Sequence, residues 1–147
     1  LADERSASPI LRSLSLFLMR LRRKGVHHSD LSGKNILVDT RSIGHPAVYP
    51  IDLECIRFAK RPADRHLIAN LVQIDDAIFA HASEKERREI LTSYAPELFE
   101  GEAGEHTLHT VEILGRQRRR RAATTIRKQE KFDAHLSRFK SFLGFKK

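Results

Sequence analysis

Tryptophan is absent from this 147-residue chain, and cysteine occurs once, as Cys55. A lone cysteine excludes any disulfide within the chain, so a reducing compartment is the expected home. Long apolar runs are missing too. The most apolar stretch, residues 11–21, is broken by Arg12, Ser13, Ser15 and Arg20, which leaves it too short and too polar to cross a bilayer. No stretch near the start has the form of a secretory signal. No internal repeat is visible, so repeat architectures are set aside.

Charge is what the chain has in abundance. The formal net charge is +8, and it is unevenly held. Residues 1–114 carry 15 basic and 17 acidic side chains, whereas residues 115–147 carry 12 basic and 2 acidic ones. The expected organisation is therefore one domain over 1–114, followed by a basic segment over 115–147. So basic a segment is drawn to the phosphates of lipid, nucleic acid or a charged glycolipid, and charge alone does not choose among them. Residues 118–121 are four consecutive arginines, a pattern that most often marks a solvated helix face. No zinc finger, recognition-helix signature or aromatic stacking motif accompanies them, which makes nucleic acid the less favoured partner.

Apolar spacing supplies the elements. Ser8-Pro9 ahead of Ile10, Leu14, Phe17 and Leu21 predicts a helix with one apolar face, widened by Leu11 and Leu18. Arg20, Arg22, Arg23 and Lys24 crowd its last turn, where cations suit the helix dipole, and Gly25 suits its end. A loop rich in Ser, Asp and Gly follows. Residues 36–38 then predict a strand, 40–46 a turn, and 47–53 a second strand that Pro50 confines to an edge or bulge. The simplest arrangement is a hairpin of 36–38 against 48–53. Asp64 is expected to cap a helix bearing Leu67, Leu71, Ile74 and Ile78, with Ile68 and Phe79 alongside. Ser83 and Glu86 form a capping-box pattern ahead of Ile90, Leu91 and Tyr94. Residues 100–107 read as a surface loop and 108–147 as mainly helical, with Phe132, Leu136, Phe139 and Leu143 on one face. The expected fold class is α+β, mostly helical with a small β-hairpin.

The chemistry-capable residues cluster around that hairpin as His28-x-Asp30-Leu31-x-x-x-Asn35-Ile36-Leu37, then Ile51-Asp52-Leu53. Phosphoryl transfer asks for few protein groups. One carboxylate orients and deprotonates the attacking hydroxyl, and hard oxygen ligands hold magnesium over the phosphates. Asp30 fits the first role; Asn35 and Asp52 fit the second. A tight hairpin would return Asp52 beside Asn35, although 17 positions separate them.

The run from His28 to Asn35 resembles the protein-kinase catalytic loop H-x-D-L-x-x-x-N, and Ile51-Asp52-Leu53 stands where such kinases carry Asp-Phe-Gly. The wider run adds Gly25-Val26-His27 before the loop, Val38 after Ile36-Leu37, and Glu54-Cys55-Ile56-Arg57 after Leu53. It is similar to the C-terminal half of the lipopolysaccharide kinases, the Kdo and heptose kinases of Gram-negative bacteria. The similarity covers residues 10–95 and, more loosely, the basic tail. It implies a protein-kinase-like C-terminal lobe that uses ATP and Mg2+. Asp30 would be catalytic, Asn35 and Asp52 metal ligands, His28 a structural support, and Lys34 a contact to the γ-phosphate. The implied acceptor is a hydroxyl of a lipopolysaccharide core sugar. The implied location is cytoplasmic, with residues 116–147 against the anionic inner membrane. Ser29 stands where many regulated protein kinases carry Arg, which fits a small-molecule or glycolipid acceptor.

A kinase of this kind also has an N-terminal lobe with a glycine-rich loop, a strand lysine and a helix glutamate. Glycines 25, 33, 44, 101, 104, 115 and 144 form no such loop. The expectation is a fragment or truncated form, inactive alone. Three alternatives stay open: a non-catalytic kinase-like remnant acting as a binding module, another small-molecule or atypical protein kinase, and a binder of anionic surfaces or nucleic acid. His27, His28 and Asp30 also suggest zinc, but no Cys or His elsewhere completes a motif. Cys55 is expected to be a buried small hydrophobe. His66, His81, His106 and His109 are expected at the surface or partly packed.

Overall fold

The computed structural model describes residues 9–41 and 46–142. In chain order come helix α1 (Pro9–Arg23), strand β1 (Val26–His28), a 3-10 turn (Gly33–Asn35), β2 (Ile36–Asp39), β3 (Ala47–Pro50), a second 3-10 turn (Leu53–Cys55), β4 (Ile56–Phe58), α2 (Asp64–Ile78), α3 (Glu84–Tyr94) and α4 (Gly101–Phe142). The architecture is mixed α and β, mostly helical, with two antiparallel two-stranded sheets. No helix among the described residues is long and apolar enough to cross a membrane.

The core is a helix-on-helix layer, with α1 and α2 both packed on α3. It buries Leu11, Leu14 and Leu18 from α1, Leu67, Leu71, Ile74 and Ile78 from α2, and Ile90, Leu91 and Tyr94 from α3. Each such side chain contributes about 1.5–3 kcal/mol by leaving water. The buried stripe of α1 runs through Leu11, Leu14 and Leu18, while Ile10 is exposed. A stripe begun at Ile10 fits the same 3.6-residue period, so only packing against α3 selects between them.

The expected hairpin forms, with a second strand shorter than 47–53. β2 pairs with β3 in the register Ile36↔Pro50 to Asp39↔Ala47. The second strand thus ends at Pro50, whose ring has no N–H to continue the ladder. Asp52 is therefore not on the hairpin. A second pair, unforeseen from sequence, joins β1 to β4 as Val26↔Phe58, His27↔Arg57 and His28↔Ile56. Gly25 makes this pair possible: it turns at φ +66, and the Ala59 N–H donates to its carbonyl at 2.8 Å. Left-handed backbone of this kind favours glycine.

Three further expectations change. Asp64 is not the cap of α2; Ala63 occupies that position, and Asp64 is the first helical residue, where its charge suits the dipole. Residues 101–107 are helix rather than loop. Gly104 is there for close approach, since a Cβ would meet the Phe99 carbonyl oxygen at 2.5 Å. Cys55 is partly exposed rather than buried. The capping box forms as expected: the Glu86 N–H donates to Ser83 Oγ, and the Ser83 N–H donates to Glu86 Oε2 at 2.8 Å. The side chains of Phe132, Leu136, Phe139 and Leu143, and part of the 40–46 turn, lie outside the described residues.

Contacts divide the chain into two compact units, Leu1–Gly115 and Arg116–Lys147. The boundary falls one residue beyond the change in charge composition. In the second unit Thr124 and Thr125 donate to the carbonyls of Arg120 and Arg121, and the described side chains are polar around most of the helix. A helix polar on all sides has no stripe to bury in a core.

One ion pair lies inside the helical layer. Asp75 of α2 is fully buried and accepts from Arg87 Nε and Nη2 of α3 at 2.7 and 2.6 Å, while the guanidinium also lies over the Phe79 ring at 4.5 Å. Removing Arg87 takes away the guanidinium that neutralises a fully buried carboxylate. Arg87→Ala is expected to lower the urea unfolding free energy by about 3–5 kcal/mol. Arg88→Ala, whose partner Glu105 is exposed, should cost under about 1 kcal/mol. Equal costs would contradict this account.

Candidate functional site

The two sheets meet at one imidazole. His28 ends β1 and is buried, with 1% of its surface exposed. The Asp30 N–H donates to His28 Nδ1 at 3.2 Å, so the ring proton sits on Nε2, which donates to the Ile51 carbonyl at 2.9 Å. The Ile51 N–H donates in turn to the Asn35 carbonyl at 2.9 Å, and the Ser29 N–H to the Cys55 carbonyl at 2.9 Å. These bonds hold the 29–35 loop against the segment that carries Asp52.

Asp30 and Asn35 are in direct contact. Asn35 Nδ2 donates to both the Asp30 carbonyl and Asp30 Oδ2 at 3.0 Å. The Ser32 N–H reaches Asp30 Oδ1 at 3.4 Å, and Lys34 Nζ lies 3.2 Å from Oδ2. Desolvation pushes the Asp30 carboxyl up, but hydrogen bonding from Ser32 and Lys34, together with the Lys34 charge, outweighs it and holds the group below the usual aspartate value. Asp30 is thus kept ionised and oriented. Lys34 is largely exposed and paired with Asp30, and such a pair is weak enough for the lysine to swing toward another anion. Ser32, which carries no role in the sequence motif, has a buried Oγ in the same loop as the Asp30 carboxylate.

Asp52 sits one residue beyond the His28–Ile51–Asn35 bonds and is exposed. Its backbone lies at φ 60, ψ 62; among the described residues no other non-glycine residue has positive φ. Aspartate tolerates this region better than most side chains, yet it still costs about 1–2 kcal/mol. Cys55 Sγ donates to its Oδ2 at 3.4 Å. Among the described residues no hydrogen bond joins the Asp52 carboxylate to Asp30 or Asn35, so the three expected site residues form one bonded pair and one neighbour linked through backbone.

Behind β1 lies a buried polar network. Asn70 Nδ2 donates to Tyr94 Oη at 2.8 Å and lies 3.4 Å from His27 Nδ1; the His27 and His66 rings meet edge-on with centroids 5.7 Å apart. A polar Asn70 on the otherwise apolar face of Leu67, Leu71 and Ile74 was the sequence signal for this network. Burial lowers the His27 pKa below 6.5, helped by His66, Arg22 and His28.

Magnesium suits the donors present. With its Nδ2 engaged by Asp30, Asn35 has its amide oxygen to offer; Asp52 adds an exposed carboxylate. Two short oxygen donors are a normal protein share for magnesium, which takes its remaining ligands from phosphate and water. No group of three or more His, Cys, Asp or Glu able to hold a metal occurs among the described residues, and both ring nitrogens of His28 are spent on hydrogen bonds, so the zinc reading gains nothing. No known protein family, curated protein or solved structure matches this chain.

Two measurements test this geometry. The folded His27 binds its proton less readily than the unfolded one, so the unfolded state takes up more protons as pH falls below 6.5. Stability contributed by this residue is fully present above 6.5 and declines in the acid window below it; His27→Gln should flatten that part of a stability–pH profile, and an unchanged slope would exclude His27 as its source. Asp52→Gly relieves left-handed strain, so it should leave stability unchanged or raise it by up to about 1 kcal/mol. A clear loss in thermal unfolding would mean that the carboxylate supports the fold.

Proposed function

We propose that this chain is the catalytic half of an ATP-dependent phosphotransferase acting on a hydroxyl. The loop's resemblance to the lipopolysaccharide kinases makes a lipopolysaccharide core sugar the proposed acceptor. The observation that carries the reading is the bonded set Asp30, Asn35 and His28, with Asp52 one residue past the His28–Ile51 bond. Asp30 orients the acceptor O–H and takes its proton as the new oxygen–phosphorus bond forms and the bond to the ADP leaving oxygen breaks. Asn35 and Asp52 would hold magnesium, which when bound neutralises charge on the transferring group. His28 positions both the loop and the Asp52 segment. Lys34 exchanges its Asp30 partner for the γ-phosphate.

The surface next to these groups supports a nucleotide. Leu37 and Tyr49 pair directly across the hairpin, and both are exposed together with Ile51. An apolar platform beside phosphate-handling groups is the chemistry that a nucleotide base requires. The described residues include no glycine-rich phosphate loop, so groups that grip the nucleotide from above come, in this reading, from a further lobe. The basic unit Arg116–Lys147 would rest against an anionic membrane on the cytoplasmic side, where a glycolipid acceptor is found.

Calorimetric titration of ATP into the folded chain, with and without magnesium, tests the reading. The expected result is weak binding, roughly millimolar, that requires magnesium and is lost in Asp52→Asn and Asn35→Ala. Metal-independent binding untouched by both substitutions would overturn the assignment. No binding at all would leave a kinase-like module that binds something else.

A further inference from the structure

The β1–β4 pair assembles a second cationic feature that lies outside the proposed site. The last turn of α1 presents Arg20, Arg23 and Lys24, all exposed, and these three residues wall a shallow concavity of about 480 Å³. The exit of β4 returns to the same place. Ala59 is bonded to Gly25, and the Lys60 Cα lies 3.9 Å from where a Gly25 Cβ would stand. Lys60 and Arg61, both exposed, therefore adjoin the turn that holds Lys24.

Three cations wall the concavity and two more follow from the strand end beside its turn, and among the described residues none of the five is paired with a carboxylate. Arg22, in the same turn, shows the contrast: it is engaged by Glu97 and by the Tyr94 carbonyl. A cation or two at a helix C-terminus is accounted for by the dipole. That account does not extend to this cluster, because the Arg20 and Arg22 carbonyls already accept from the Lys24 and Gly25 N–H groups, and two of the charges come from another element. Like charges gathered without counter-charge repel one another, and an anion relieves the repulsion.

We propose that this concavity is a binding site for a discrete ligand bearing clustered phosphate groups. A concave wall suits such a ligand better than a flat bilayer does. Arginine supplies paired donors for phosphate oxygens, and the lysines add point charge. The two strands that begin and end at the patch run to His28 and Cys55, about 10 Å away along the sheet, so occupancy would bear on the segments holding Asp30 and Asp52. The site itself does not depend on the phosphotransferase reading.

The test is titration of inorganic tripolyphosphate into the whole chain, without magnesium, at low and raised salt. The variants are Arg20→Gln/Arg23→Gln/Lys24→Gln, Lys60→Gln/Arg61→Gln, and, as a control, Gln at all four positions 118–121. All are surface changes, and thermal unfolding checks that each folds. Salt-sensitive binding that falls roughly tenfold in the first variant and clearly in the second, but little in the control, is the expected result. Binding unchanged in the first two, or lost only in the control, would overturn the proposal. So would a patch-dependent attachment to phosphatidylglycerol vesicles without any binding of tripolyphosphate, which would reassign the surface to a membrane. Asp52→Asn separates the two sites: it should leave tripolyphosphate binding intact whatever it does to ATP.

Discussion

The imidazole of His28 is the contact on which the rest of the candidate site depends. It accepts from the backbone of its own loop at Asp30 and donates to the backbone that precedes Asp52. Only a neutral ring can do both at once, with one nitrogen as acceptor and the other as donor. A buried group that satisfies two segments is costly to replace, because any substitute leaves at least one backbone group unpaired. Short strands of three and four residues could not fix these loops by ladder bonds alone, and the ring provides the missing constraint.

The helical layer below makes that constraint useful. Leu31 enters the core directly after Asp30, and Gly33 sits tightly on Ala77 of α2. The loop is therefore anchored on its underside by apolar packing while Asp30, Lys34 and Asp52 retain access to solvent. Strain is stored at Asp52, and the backbone bonds around Ile51 and Cys55 hold it in place. A left-handed aspartate persists only where its surroundings over-determine the backbone, as the bonds at Ile51 and Cys55 do here. Asp30 gains its orientation from three neighbours within its own loop, Ser32, Lys34 and Asn35.

Much of this was legible in the sequence because it is local. The capping box of α3, the apolar period of α2 and the short spacing from His28 to Asn35 all act over a single turn or loop. The misreadings have a common origin in residues whose role is set by a distant partner. Gly104 fell in a stretch read as a surface loop and is instead a close contact with Phe99. Pro50 ended the strand before Asp52 instead of bending it. Ile10 and Leu11 competed for the same face, and only α3 could choose. The buried Asp75 and Asn70 are polar residues on an apolar helical face that the apolar period passes over, and their partners Arg87, Tyr94 and His27 lie 12 to 43 positions away.

By itself the sequence determined the mixed, mostly helical composition, the separation of a basic segment from the rest, and the presence of Asp30, Asn35 and Asp52 around a hairpin. Each of these follows from period, charge or turn chemistry within a short window. Tertiary structure alone decided that β1 pairs with β4. That one pairing aligns His28 with Ile56, and it brings Lys60 beside Gly25. Neither juxtaposition can be read from spacing, because the bonds that create them close a loop of some thirty residues, and such a closure is determined by the whole packed layer rather than by any neighbour in sequence.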